Sequence, residues 1–321
     1  MAIQYTNLNA FVHNFIVPDM HDLLYQPSPV FARLHQRQRE NFKGGILIQE
    51  PVIVGKLWAQ AVGKGEEFDI DFVTTEAAIV ESMKLYVCNV SLYGFDAIQN
   101  DGDESVFSQV EAKMQNAGLR VAEVLATDMY GNNLLDLRKV TGLPQWYDDG
   151  SNFPTIAGQT RNDIMTIGTV GGLNAYQVAL GATFTLPAMN TAYTAACLGN
   201  EHPDLTVVTR NGWNLLWQAQ QPFQRYASKE TNALIGFETF KFNASDVALD
   251  PLLPTGTSGV CYMLNTAYLK WFFSTNRKFY FSFTGFKEGI KTIDVAGQFL
   301  VANQIMSVNP RTGAKIGSTL F

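Results

Sequence analysis

The strongest constraint in this chain is one unbroken helical period. It follows Asn100-Asp101-Gly102-Asp103, a stop signal in which Asp101 or Asp103 makes a good N-cap. Val106, Val110, Ala117, Val121, Val124 and Leu125 then form an apolar stripe, with Met114 alongside. Glu111, Lys113, Arg120 and Glu123 fall mostly on other faces, and Gly131-Asn132-Asn133 ends the run. The spacing predicts a helix from Glu104 to about Tyr130. At 1.5 Å per residue this is a rod of about 40 Å, long for a globular domain.

Ahead of that rod the period changes twice. Residues 7–25 place Leu8, Phe11, Val12, Phe15, Ile16, Met20, Leu23 and Leu24 at helical spacing, broken or kinked at Pro18. Gln26-Pro27-Ser28-Pro29 punctuates the chain, and a short helix is expected from Val30 to about Gln38, ending near Gly44-Gly45. This amphipathic arm reads as a helix that docks on something rather than as a core element. From Ile46 the residues read as strands. Ile46, Ile48 and Pro51-Val52-Ile53-Val54 make one extended run, and Met83, Leu85, Val87, Val90 and Leu92 make a second. Gly55 to Phe68 between them carries glycines and no sustained pattern. A separation of about 25 residues predicts a long hairpin rather than a tight turn, with few contacts to its own chain over about 55–75. Loops of that length in a compact domain are usually functional.

Beyond the rod, helices and strands intermix. Leu186 to Cys197 and Trp213 to Ala219 read as helices, the second stopped by Pro222. Leu205 to Thr209 reads as a short buried strand, and Gly236 to Phe242, Val247 to Asp250 and Val260 to Leu264 as further strands. Val295 to Ile316 holds another extended run and the turn Pro310-Arg311-Thr312-Gly313. The class is α+β, with no internal repeat.

Composition narrows the partners. The 321 residues are 46% hydrophobic and 16% charged, enough apolar material for a real core, against about 25% charge in a usual soluble domain. With 23 basic and 29 acidic residues the net charge is −6, so no broad phosphate-neutralising surface is expected. Cys88, Cys197 and Cys261 are odd in number and far apart, which suits a reducing compartment. Met1 to Val17 lacks a basic leader before an apolar core, and no run approaches the roughly 20 apolar residues of a bilayer span. A soluble, cytoplasmic protein without a membrane partner is the expectation.

The motifs of catalysis are missing. Gly63-Lys64 fails as a phosphate loop, with Trp58 where the first glycine belongs and Gly65 after the lysine. Gly168 to Gly172 lacks the dinucleotide pattern. His13, His21, His35 and His202 form no metal-ligand set, and a serine nucleophile elbow is absent. Asp101 with Asp103, and Asp148 with Asp149, read as caps and turns rather than calcium ligands. No catalytic, cofactor or metal residue is assigned. Phe237, Phe240, Phe242, Trp271, Phe272, Phe273, Phe279, Tyr280, Phe281 and Phe283 lack interleaved basic clusters, so core and interface are expected rather than base stacking. The one basic run is Arg33, Arg37, Arg39 and Lys43, moderated by Glu40. Arg33 and Arg37 share a helical face, either solvated or paired with acidic neighbours, or turned to another subunit or to DNA.

The order of elements resembles the major capsid proteins of tailed bacteriophages, with their HK-ninety-seven-like fold. Gly44-Gly45 with Ile48-Gln49-Glu50-Pro51-Val52 is similar to the family's entry into an extended loop. Pro203 to Arg210 followed by Trp213 is similar to the strand-to-helix step of its axial domain. Gly236-Phe237, Asp250 with Pro254, Leu264-Asn265-Thr266 with Tyr268-Leu269, and Asn309-Pro310-Arg311 before Lys315-Ile316 are similar to its closing segments.

The resemblance implies an N-terminal arm (1–45), an extended loop hairpin (46–95) and a peripheral domain (96–148) with a spine helix (about 104–130). It further implies an axial domain (149–265) and a return to the peripheral domain (266–321). The implied function is a non-enzymatic shell of hexamers and pentamers around phage double-stranded DNA, built in the host bacterial cytoplasm and ending in the virion. The shell of a cellular encapsulating nanocompartment is the alternative. Implied partners are further copies of the chain, a separate scaffolding protein, a portal, a decoration protein and non-specifically packaged DNA. Trp58, Lys64, Glu66, Glu67 and Phe68 would be inter-subunit contacts of the loop, and Arg33, Arg37, Arg39 and Lys43 lumen or arm contacts. The arm is too short for a cleaved scaffolding region. Lys64 stands where some members place a cross-linking lysine, but no covalent link is expected here.

Overall fold

The computed structural model describes residues 28–37, 39–42, 44–54, 57, 59–67, 75–92, 103–164, 172–178, 184–220, 239–254, 261–274, 282–288 and 294–317. Only the backbone is described at 35–37, 39, 103–108, 163, 220, 239 and 288. The helix expected over 7–25 lies outside these residues, as do Lys43, Trp58 and Phe68.

The chain opens with helix α1 (Pro29–Arg37) and strands β1 (Arg39–Phe42), β2 (Leu47–Ile53), β3 (Glu76–Ser82) and β4 (Lys84–Leu92). Helices α2 (Asp103–Met129) and α3 (Leu143–Trp146) follow, then the small hairpin β5 (Thr155–Ile156) and β6 (Gln159–Thr160), and β7 (Tyr176–Val178). Next come α4 (Leu186–Ala196), β8 (Leu205–Val208), α5 (Arg210–Gln220), β9 (Thr239–Phe242), β10 (Ser245–Leu249) and β11 (Cys261–Leu264). The described chain closes with β12 (Leu269–Ser274), β13 (Ser282–Phe283), β14 (Lys287–Glu288), β15 (Val295–Ser307) and β16 (Ala314–Ile316).

The first sheet is organised on β15. Along one edge β15 takes β4 antiparallel, from Leu92 opposite Val295 to Lys84 opposite Asn303. Its other edge takes β14, β13 and β12 in turn. Burial alternates over the first half of β15, as expected for a sheet with one wet face, and becomes continuous from Val301. There α3 closes the second face, and Trp146 Nε1 donates to the Ile305 carbonyl at 3.2 Å.

Helix α2 lies along β4. Val110, Met114, Ala117, Val121, Leu125 and Met129 bury its predicted stripe, while Val124 is half-buried. Its end fits a tight crossing. A Cβ on Gly142 would stand 2.0 Å from the Gly131 carbonyl, so only glycine allows the return strand of chain to pass.

The second sheet runs β7-β16-β11-β8-β10-β9. Leu205, Val207, Tyr262 and Leu264 face the core shared with α2. Val208, Cys261, Met263 and Ile316 face a second core with Met189 and Ala192 of α4 and Leu216 of α5. Both faces are covered, which is why Leu205 to Val208 is buried at every position, Thr206 included. Thr185 caps α4 by accepting from Ala188 N.

Three expectations need correction. The partner of β2 is β3, from Leu47 opposite Ser82 to Ile53 opposite Glu76, and the run Met83 to Leu92 belongs to the first sheet instead. The arm helix is a core element of its own subunit. Val30, Phe31 and Leu34 are fully buried, and the Phe31 ring sits 4.7 Å from Trp271. The chain after α1 does not stay helical, for Arg39 to Phe42 pairs in parallel with Trp271 to Ser274. Phe240 packs 5.0 Å from Trp213, and Trp271, Phe272, Phe273 and Phe283 are buried, as the core reading expects.

Candidate assembly surfaces

The hairpin β2–β3 is rooted firmly and then leaves the body. Ile48, Val52 and Ile79 are its buried side chains. Around them, Val80 N donates to the Ala157 carbonyl and Gln159 Nε2 to the Ala78 carbonyl, both at 2.9 Å. Lys270 Nζ bridges Glu50 at 2.9 Å and Glu40 at 3.0 Å. Burial works against the charge of Lys270, but its bonds to Glu50 and Glu40 outweigh this and raise its pKa. Glu81 accepts from Thr141 and Gln304 at 3.0 Å, and burial raises its pKa despite them. The last described bond between the two strands runs from Val54 N to the Thr75 carbonyl at 2.9 Å.

Beyond that point every described residue, 57 and 59–67, is exposed. Glu66 shapes the tip: Gly63 N donates to its carboxylate at 2.6 Å, and Gly65 turns the chain at φ +87°. Lys64 and Glu67 are exposed beside it. The glycines and missing periodicity were the legible sign of a segment without a core of its own.

Two clefts open on the body. One of about 270 Å³ lies at the hairpin root, between Val52, Ile164, Leu198, Tyr268 and Arg311. The other, about 330 Å³, lies between β4 and α2 and is lined by Cys88, Ser91, Lys113, Asn116 and Arg120. Lys113 donates to the Ser91 carbonyl at 3.0 Å, and Arg120 pairs with Glu123 at 2.6 Å. Burial raises the pKa of the Cys88 thiol, which moves it away from a reactive thiolate.

Where it is described, the basic run is divided between elements. Arg33 turns inward, 7% exposed, and its Nη2 lies 3.2 Å from Asp204 Oδ2. Of the readings given for Arg33, a lumen or arm contact or a pair with an acidic neighbour, the structure has the pair, inside the subunit. Arg37 ends α1 and Arg39 begins β1, so the two sit on different elements.

Sequence reasoning missed the turn after α2. Leu134, Leu135 and Leu137 are exposed there, although Gly131-Asn132-Asn133 followed by three leucines within four residues was visible as a signal. Arg138 grips Asp136 through Nε at 2.9 Å and Nη2 at 3.3 Å, and these bonds lower the pKa of Asp136.

Among the described residues no group of three or more His, Cys, Asp or Glu could hold a metal ion, and no helix is long and apolar enough to cross a membrane. Asp148 makes a turn, accepting from the backbone N–H of Gly150, Asn152 and Phe153. Burial opposes its charge, but these bonds prevail and lower its pKa. Arg161, fully buried, donates to the carbonyls of Phe153, Trp146, Leu173 and Gln145, and burial pushes its pKa down to about 10. His202 sits half-buried in a loop, its Nδ1 3.3 Å from the Pro203 carbonyl.

No protein-family model matches this sequence, and no curated protein matches it either. Solved structures do match in shape. The capsid of cyanophage A-1(L) aligns with TM-score 0.58 at 11% identity, over 90% of this chain and 91% of that one. A chain of Mycobacterium phage Ogopogo aligns with TM-score 0.57 at 12% identity, over 90% and 92%. The SrpI encapsulin complex from Synechococcus elongatus aligns with TM-score 0.56 at 9% identity, over 89% and 86%. The chain has the HK-ninety-seven-like capsid fold, mixed α and β, that these shell proteins share.

Proposed function

We propose that this chain is the major capsid protein of a tailed bacteriophage, a subunit that closes with its own copies into an icosahedral shell and catalyses nothing. The observation that carries this reading is the rooted hairpin. Its base is locked by Lys270, Glu50, Glu81 and Gln159, while the described residues of its far end, 57 and 59–67, all stand in solvent. A segment of that length without its own core gains its order by lying on another molecule. In the capsid fold that molecule is the neighbouring subunit.

In this reading α2 is the spine, the first sheet the peripheral domain and the second sheet the axial domain, arranged as hexamers and pentamers around double-stranded DNA. Lys64, Glu66 and Glu67 reach the neighbour, together with Trp58 and Phe68. Arg37, Arg39 and Lys43 meet the arm or the packaged DNA. A scaffolding protein, a portal and a decoration protein complete the particle, which is assembled in the bacterial cytoplasm. The second reading is a nanocompartment shell, supported by the equal likeness to an encapsulin.

Electron microscopy of the purified assembly separates them. Filled or tail-bearing heads support the capsid reading, and small shells around an enzyme support the nanocompartment. Discrete small oligomers alone would overturn both. On a denaturing gel the capsid should run as one band near 35.6 kDa, without covalent multimers.

A further inference from the structure

Apolar side chains held rigidly in water mark a surface that something covers. In the turn after α2, Leu134, Leu135 and Leu137 are 63%, 99% and 73% exposed. The turn beneath them is firmly built. Lys84 Nζ donates to the Leu137 carbonyl at 2.7 Å, and Lys139 Nζ lies 2.9 Å from Asp128. Gln145 Nε2 donates to Asn133 Oδ1 at 2.7 Å, and Asn133 Nδ2 donates to Thr141 at 3.2 Å. A turn fixed in this way loses little conformational freedom on docking. The apolar surface has a neighbour: Leu47 pairs with Ser82, whose Oγ accepts from the same Lys84 Nζ, and Ile46 beside it is 90% exposed.

The charges of the turn indicate the partner. Asp136 and Arg138 flank Leu137, joined to each other, with the Arg138 side chain 91% exposed. One short turn therefore presents an acid, a base and an apolar centre. Such a surface complements a copy of itself, since a rotation axis beside it brings Arg138 of one copy to Asp136 of the next while the leucines meet. Nucleic acid or an anionic lipid surface would select basic residues alone.

We propose that the turn Leu134–Lys139 is a contact between copies of this chain, with the leucines as its apolar centre and Asp136–Arg138 exchanging from a pair within one copy to a pair between copies. The proposal rests on the shell reading for its setting, and its test separates the two. Particle yield is measured for the wild type, L135D, D136R, R138D and a one-to-one mixture of the last two, with thermal melting to confirm folding. Leu135 touches nothing in its own subunit that its loss would expose, so L135D should melt as the wild type does while particle yield falls by roughly tenfold or more. D136R and R138D should each assemble poorly, and their mixture should recover, because opposite charges then meet only between copies. Shells of L135D at wild-type yield, or a mixture no better than its components, would overturn the proposal and leave the shell reading intact. If the wild type forms no shell, that reading fails, and sedimentation decides the contact. L135D monomeric where the wild type associates supports it, and identical sedimentation overturns it.

Discussion

Arg33 and Asp204 form an ion pair at 3.2 Å across 171 positions of sequence, fastening the first helix to the start of β8. Asp204 also accepts from Thr266 N at 2.7 Å and Thr266 Oγ1 at 2.5 Å, so one carboxylate joins α1, the second sheet and the turn before β12.

Removing one member of a largely buried pair strands the other. R33A should lower the unfolding free energy by about 3 kcal/mol, read from a urea titration. An unchanged midpoint would mean that Asp204 is satisfied by Thr266 alone.

Asp250 makes a second fastening. Ser28 and Tyr130 both donate to its Oδ2 at 2.5 Å, and Leu252 N donates to Oδ1 at 2.9 Å. Burial raises the pKa of this carboxyl in spite of those three donors. Its folded pKa therefore exceeds the unfolded one, and its contribution is complete below the ordinary Asp range and declines as pH rises through the raised value. D250N should cost about 2 kcal/mol in acid, and the deficit should shrink towards neutral pH in denaturation curves taken at several pH values.

Lys315 is fully buried in β16, and its Nζ has no hydrogen-bond partner among the described residues. Burial lowers its pKa, partly offset by Asp148 and Asp149. The folded state thus holds this proton less tightly than the unfolded chain, and wild-type stability should climb as pH approaches the ordinary lysine value. K315M should be more stable by about 2 kcal/mol at neutral pH and should lack that climb. A less stable K315M would show that the amine has a polar partner beyond the described residues.

Deleting 57–67 removes only exposed residues among those described. The shortened chain should melt within a few degrees of the wild type, remain soluble and fail to close into particles. Closed shells from the deletion variant would refute the role given to the hairpin.

The long helix was legible because its stripe is periodic and its partner, β4, lies close in sequence. The second arm of the hairpin was not. In β3 only Ile79 is fully buried, and Glu76, Ala77, Ala78, Glu81 and Ser82 carry no clean alternation, since one side chain alone of this strand reaches fully into the core. The run Met83 to Leu92 alternates better because it lies on β15, roughly two hundred residues away. The same distance hid the arm. The arm read as a helix that docks on something, but Val30, Phe31 and Leu34 of α1 dock on the far part of their own chain, Trp271 among it. The buried Arg33, Asp250 and Lys315 look like ordinary polar residues in sequence, because only the tertiary fold decides what surrounds them.

The central place of β15 also sets a clock. Its partners β4, β12, β13 and β14 all leave the ribosome before it does, and among the described residues none pairs with another of that group in the first sheet. A nascent chain can wind α2 early, since its bonds are local, but the sheet beneath that helix must wait for Val295 to Ser307. On the proposed shell reading, the surfaces that meet other copies would rest on an unfinished body until then.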